Sequence, residues 1–224
     1  MPSDLRTAST GKGTGFAAGE KAMRVPGVSF LENTPKNFEG TIGAQFINWV
    51  EKKTFIEVPQ GYSLGANAGF WPTCTHRECT VMQGMADAQA PAHSLRKSMM
   101  VIRTYPIRVG NTEGSSGAHY PDQREMTWEE LGVTPERTTV TKRIRRVFSF
   151  SKGQVMDAIW ANRPDVILFN FANYMKHSEF VALVQDLKYT IRANFGYMPD
   201  FLYGYGPGTQ DVHSMVMPEL HKPE

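Results

Sequence analysis

The apolar positions of this chain alternate between two periods, and the alternation predicts strands interleaved with helices. Between Thr41 and Lys53, Ile42, Phe46, Ile47, Trp49 and Val50 recur mainly at helical spacing, which places them on one face of a helix. Thr54 to Val58 is a short apolar run closed by Pro59 and the turn-prone pair Gln60-Gly61, the pattern of a buried strand. Ser98 to Val109 predicts a second strand, interrupted at Pro106 because proline has no N–H to give to a ladder. Thr127 stands three residues before Glu130, the spacing of a capping box opening a short helix. Val147 to Phe150 reads as a strand and Gly153 to Asn162 as a helix. Asp165 to Phe171 (DVILFNF) is the strongest buried strand of the chain. Ser178 is placed to cap a helix on which Phe180, Leu183, Val184, Leu187 and Ile191 line one face. Phe201 to Tyr203 then forms a short strand running into Gly204-Tyr205-Gly206-Pro207-Gly208.

This order predicts an α/β fold: a mixed, largely parallel central sheet with flanking helices and ligand-like loops at the strand ends. With 224 residues, 41% of them hydrophobic, the chain can bury one sizeable core, so residues 1–224 are expected to form a single domain. Lys and Arg total 24 against 22 Asp and Glu, too even a balance to point to nucleic acid or a membrane surface. Arg137, Arg143, Arg145 and Arg146 nevertheless cluster, which suits a small anionic ligand. Two cysteines, Cys74 and Cys79, give no disulfide framework, and no apolar run nears the ~20 residues that span a bilayer. A cytoplasmic protein is expected.

Four segments carry chemistry. Ser9-Thr10-Gly11-Lys12-Gly13-Thr14-Gly15 combines glycines that let a phosphate approach the backbone with hydroxyl and ammonium donors; it also suits a plain N-terminal tail. Its spacing is not that of a Walker A loop. Val58 to Leu64, extending to Thr73-Cys74-Thr75, places Gln60 after a strand, where a carboxamide can bond a purine edge or a phosphate, or simply begin a turn. Arg103 to Gly110 is either a strand with solvated cations or a ligand segment. Thr138-Thr139-Val140-Thr141-Lys142-Arg143-Ile144-Arg145-Arg146 sets three hydroxyls beside alternating cations, a donor set suited to carboxylates and phosphates. Cys74, His76 and Cys79 lack a second ligand pair, so no metal site is expected of them.

In this order the four segments resemble the adenylosuccinate synthetase family, from Ser9 to about Val216. Ser9 to Gly15 is similar to the family's S-T-G-x-G-x-G loop, followed by Ala17, Lys21 and Arg24. The resemblance assigns Ser9, Thr10 and Gly11 to the substrate monophosphate. It assigns Arg24 to the neighbouring subunit's site and therefore implies a homodimer. Glu57-Val58-Pro59-Gln60-Gly61 looks like the E-G-A-Q-G motif, with Gln60 and then Thr75 at the substrate. Arg103 to Gly110 resembles the T-R-V-G segment, where the Val109 backbone meets the nucleotide. Thr138 to Arg146 resembles the aspartate loop V-T-T-G-R-x-R-R: Thr138, Thr139, Val140, Thr141, Lys142 and Arg143 are implied to hold aspartate. Arg143 also reaches the monophosphate, and Arg145 faces the donor triphosphate. Gly204, Gly206 and Pro207 match the G-x-G-P turn beside the donor.

The resemblance implies a carbon–nitrogen ligase that joins L-aspartate to dGMP or IMP at the expense of ATP or GTP. Magnesium is implied as the cofactor, bound mainly by the donor phosphates and by the family's N-terminal part. The implied fold is that of the family, P-loop NTPase-like, without its N-terminal part. That part carries the family's glycine-rich phosphate loop and its catalytic Asp and His; His76, His93, His119, His177, His213 and His221 are isolated and match none of these motifs. No catalytic residue is therefore expected within this chain, which alone would be inactive. The alternative is an inactive nucleotide-binding remnant. A second departure lies at the donor base. GTP-using members carry T-K-L-D, whose carboxylate pairs with guanine, whereas this chain has Phe169-Asn170-Phe171-Ala172-Asn173. Asn170 and Asn173 become the donor contacts, and alanine cannot accept guanine's hydrogen bonds. The segments T-T-V-T-K-R-x-R-R-V-F-x-F-S and N-F-A-N-Y look like a viral branch that uses ATP and acts on dGMP.

Overall fold

The computed structural model describes residues 6–9, 54–88, 90–111, 115–138 and 141–214. The helix expected over Thr41–Lys53 lies outside the described residues. The chain divides into two units, Met1–Arg96 and Lys97–Glu224.

In the first unit, β1 (Arg6–Ser9) pairs in parallel with β2 (Thr54–Glu57), in the register Arg6 with Thr54 and Ser9 with Glu57. Three residues past the end of β2, Gln60 turns into the left-handed region at φ 71°, a conformation uncommon outside glycine. A short helix, α1 (Val81–Asp87), packs on β2. Thr80 caps it by accepting from the Gln83 N–H at 3.2 Å.

The second unit is built on a four-stranded sheet. Its strands are β3 (Met99–Arg103), β7 (Val166–Asn170), β8 (Asp200–Gly204) and β9 (Val212–Ser214), in the order β3-β7-β8-β9. The first three run parallel, and β9 returns antiparallel along β8. β7 is central, so apolar side chains suit both its faces, and its run Val-Ile-Leu-Phe has them. The helices α3 (Lys152–Asn162) and α4 (His177–Phe195) cover the sheet. Ile159, Ile167, Phe169, Phe180, Leu187 and Ile191 form a core in which Phe169 and Phe180 meet edge to face, centroids 5.6 Å apart.

The expected α/β class is the one observed. Three local expectations shift. The run Ser98–Val109 divides into two strands in different sheets, because Pro106 offers no N–H. Its first part is β3; its second is β4 (Ile107–Arg108), in an antiparallel sheet of order β4-β6-β5 with β5 (Glu125–Met126) and β6 (Arg146–Phe148). The helix expected to start at Ser178 starts at His177, after Lys176, and no side chain caps it. Ser178 is thus already helical and exposed. β9 was unforeseen, since Val212-His213-Ser214 has too little apolar pattern. Thr127 does form the capping box of α2 (Trp128–Leu131) with Glu130.

Three carboxylates pin this unit together and are held below their ordinary pKa. Burial pushes Asp122 upward, but hydrogen bonds from the Gly153 N–H and the Ser151 hydroxyl outweigh it. Glu125 is lowered by its two-pronged bond with Arg146, at 2.6 and 2.7 Å, and Asp165 by the Ser98 N–H at 2.7 Å. A carboxylate depressed in the folded state contributes stability that is complete above its unfolded pKa and is lost as pH falls through the folded value. The urea midpoint should therefore hold steady from pH 7 to about 5 and fall below about pH 4. A midpoint that rises on acidification would contradict this linkage.

Candidate functional site

The carboxyl ends of β3, β7 and β8 lie side by side and carry Arg103, Asn170 and Gly204. In parallel α/β sheets this is the edge at which ligands bind. The expected donor loop leaves β7 at Asn170. Phe171 adopts φ 62°, ψ 34°, a left-handed conformation rare for a bulky residue, and residues Ala172–Tyr174 form one tight turn. The Phe171 carbonyl accepts from the Thr104 hydroxyl at 2.7 Å, and Thr104 is fully buried. The Ala172 methyl is fully buried too, so it points away from any base, whereas Asn173 is exposed. Asn170 packs on Gly204 so closely that a Cβ there would stand 2.8 Å from its Oδ1. Only glycine lets the two strand ends meet in this way. The following turn is closed by Asp211, whose carboxylate accepts from the Gly208 N–H at 2.8 Å beside Gly206. Pro207 is exposed at its tip.

The expected aspartate loop is an arm between α2 and β6. Arg137 and Ile144 bridge its base, and the Thr138 N–H donates to the Arg143 carbonyl at 2.9 Å. The Thr138 and Thr141 hydroxyls lie 2.6 Å apart, and the Arg143 N–H donates to the Thr138 hydroxyl at 3.0 Å. Lys142 turns the tip at φ 57°. Arg145 is gripped at both backbone ends: its N–H donates to the Glu136 carbonyl at 2.8 Å, and its carbonyl accepts from the buried Trp128 indole at 2.7 Å. Thr139 and Val140 lie outside the described residues.

Gly110 brings a second expected segment against this arm. A Cβ on it would stand 2.5 Å from the Ile144 carbonyl oxygen, so Val109-Gly110 runs hard against the arm's backbone. The Val109 carbonyl accepts from the Ser116 hydroxyl at 2.9 Å.

Charge is distributed unevenly over the cations. Arg146, which the sequence grouped with the cluster, is spent on Glu125 and on Ser116 and the Gly117 carbonyl. Lys142, Arg143 and Arg145 have no carboxylate partner among the described residues. Three such cations beside paired threonine hydroxyls make a donor set suited to a multiply charged anion.

In the first unit, Gln60 and Thr75 flank one buried thiol. The Gln60 Oε1 lies 3.9 Å from the Cys79 sulfur and the Thr75 hydroxyl 3.8 Å from it. Burial pushes the Cys79 pKa up, so the thiol stays protonated and can donate to Gln60. The Thr75 hydroxyl itself faces the carbonyls of Leu64 and Arg77, at 3.0 and 2.9 Å. The sequence weighed Cys79 only as a disulfide or metal candidate; its place between Gln60 and Thr75 depends on the fold. Of the monophosphate set, Ser9 ends β1, while Thr10, Gly11 and Arg24 lie outside the described residues. Among the described residues no three His, Cys, Asp or Glu gather around a common point, and no helix is long and apolar enough to cross a membrane.

The arrangement is that of an α/β protein with a cationic arm beside the strand ends, the edge at which sheets of this kind take ligands. The chain belongs to the adenylosuccinate synthetase family, whose model matches residues 36–200. It is 38% identical over 214 residues to the N6-succino-2-amino-2'-deoxyadenylate synthase of Vibrio phage phiVC8, covering 91% of this chain and 61% of that one. The cyanophage S-2L synthase of the same description is 34% identical over 232 residues, covering 96% of this chain and 62% of its relative. An adenylosuccinate synthetase of Methanococcus vannielii is 32% identical over 147 residues, 63% of this chain and 41% of its own. The chain thus spans about three-fifths of the length of the phage relatives it matches. Among solved structures, the cyanophage S-2L succinoaminodeoxyadenylate synthetase bound to dGMP, with dATP as energy donor, superposes with a TM-score of 0.67 at 31% identity. That superposition covers 85% of this chain and 57% of the other. The Plasmodium falciparum adenylosuccinate synthetase shares the fold, with a TM-score of 0.60 at 15% identity over 79% of this chain and 54% of its own.

Proposed function

We propose that this chain supplies the aspartate, monophosphate and donor surfaces of a carbon–nitrogen ligase that joins L-aspartate to dGMP, with ATP or dATP as donor. The observation that carries the proposal is the arm: Lys142, Arg143 and Arg145, without carboxylate partners among the described residues, next to the Thr138 and Thr141 hydroxyls and pressed on Gly110. Its hydroxyls and Arg143 hold the two aspartate carboxylates so that the amine faces the purine, an orientation effect. Arg143 and Arg145 supply positive charge to the monophosphate and the donor phosphates. The phage relatives, and the S-2L structure with dGMP and dATP, favour dGMP over IMP.

The described residues offer no carboxylate set for magnesium, so the ion implied by the family does not fit them as a protein-held metal, and no step here runs through it. A homodimer completed by Arg24, and action in the cytoplasm of an infected host, extend the same proposal. No observation favours an inactive remnant.

Calorimetric titration of the chain with dGMP, IMP, ATP, GTP and aspartate tests the reading. Binding of dGMP and ATP supports it, and binding of IMP and GTP with neither of the others overturns it. Asn173 sharpens the donor arm of the test. Its exposed carboxamide offers one donor and one acceptor, which matches adenine, whereas guanine's Watson–Crick edge asks for a carboxylate. Asn173→Asp should weaken ATP and strengthen GTP, moving their affinity ratio about tenfold. An unmoved ratio would remove Asn173 from the donor contacts.

A further inference from the structure

Arg103 has no place in the site as the sequence assigned it, yet it touches both halves of that site. It is the last residue of β3 and pairs in register with Asn170, where the donor loop begins. Its guanidinium carbon lies 3.8 Å from the centre of the Phe171 ring, a stacked cation–π contact. The same guanidinium is ion-paired with Glu136, and its Nε donates to the Tyr105 carbonyl at 3.3 Å. Glu136 stands at the foot of the cationic arm, and its carbonyl accepts the Arg145 N–H at 2.8 Å. Phe171 is the left-handed residue that turns the donor loop, so something must hold its ring against a conformation it does not favour. Thr104 holds the carbonyl. Arg103 holds the ring.

We infer that Arg103 is a positioning residue that couples the donor loop to the cationic arm, fixing the loop through Phe171 and the arm through Glu136. Both contacts converge on one planar group, and only arginine combines a stacking face with an ion-pairing edge. The inference rests on the donor-site reading for its functional consequence but not for the coupling itself. Lysine at this position keeps the charge for Glu136 and loses the plane that lies on Phe171.

Amide hydrogen exchange on the whole chain tests the coupling without any ligand. Arg103→Ala should speed exchange in both residues 171–175 and residues 137–145. A change in one segment only, or in neither, overturns the inference. Should Arg103→Ala fail to fold, Arg103→Lys decides: faster exchange in 171–175 supports the coupling through the ring, and unchanged exchange there overturns it. In calorimetry, Arg103→Lys should weaken ATP about tenfold, between the values of an exposed and a desolvated cation–π contact. Adding Phe171→Leu should weaken it little further, because both changes remove one contact. Full additivity of the two overturns the coupling. If the unaltered chain binds no adenine nucleotide, the donor reading fails, and the exchange result still decides the role of Arg103.

Discussion

Replacing Arg143 with leucine is expected to weaken aspartate and dGMP binding roughly a hundredfold, equivalent to about 2.7 kcal/mol, the scale of a two-pronged charge-assisted contact. Stability should stay within about 0.5 kcal/mol, because Arg143 is exposed and has no carboxylate partner among the described residues. The contact it makes with Thr138 uses its backbone N–H, which leucine retains. The variant therefore separates binding from folding. Calorimetry with aspartate and with dGMP, alongside a melting curve, reads both. Unchanged aspartate affinity would remove the arm from the aspartate site, and a collapsed melting temperature would mean that the side chain is structural.

The second large effect is expected at Gly110. Alanine there would put a methyl 2.5 Å from the Ile144 carbonyl oxygen, and a backbone atom cannot swing away as a side chain tip can. Either the Val109 segment or the arm has to move, at a cost of about 2 kcal/mol by analogy with overpacked interiors. The displaced arm should lose aspartate affinity with Arg143 still in place. Gly61→Ala is the matched control. Its Cβ meets nothing within 4 Å and its φ is −88°, so it should change stability by no more than about 0.5 kcal/mol. Equal melting temperatures for the two variants would sink the argument. A destabilised Gly110→Ala with normal aspartate binding would keep the contact and discard its role in holding the arm.

Much of the candidate site could be proposed from the sequence because its chemistry is contiguous there. The arm keeps its threonines and cations within one stretch, and short-range patterns of donor and charge survive any folding. The G-x-G-P turn was equally plain, since Gly204 and Gly206 sit where the Asn170 carboxamide and the Asp211 carboxylate come too close for a side chain. Pairings between distant positions were not legible. Arg103, Phe171 and Glu136 are far apart along the chain and look like a solvated cation, a buried-strand residue and a surface acid. Arg146 misled in the opposite sense: its neighbours put it in the cationic cluster, while the antiparallel sheet gave it to Glu125. In the expected donor loop, Ala172 reads from the sequence as a missing acceptor, but the turn buries its methyl and leaves Asn173 exposed.

The sequence by itself determined the strands and helices whose apolar period is long or strong: DVILFNF as the central strand, the amphipathic α4, the capped α2. It also determined the α/β class that their order implies. Propensity and periodicity act over a few residues, so local order suffices to read them. Only the tertiary structure decided that the run broken by Pro106 serves two sheets, that β9 closes the edge beside β8, and which arginines meet a carboxylate among the described residues. Those outcomes depend on which distant groups meet, and a charge is spent or spare according to the carboxylate that the fold delivers to it.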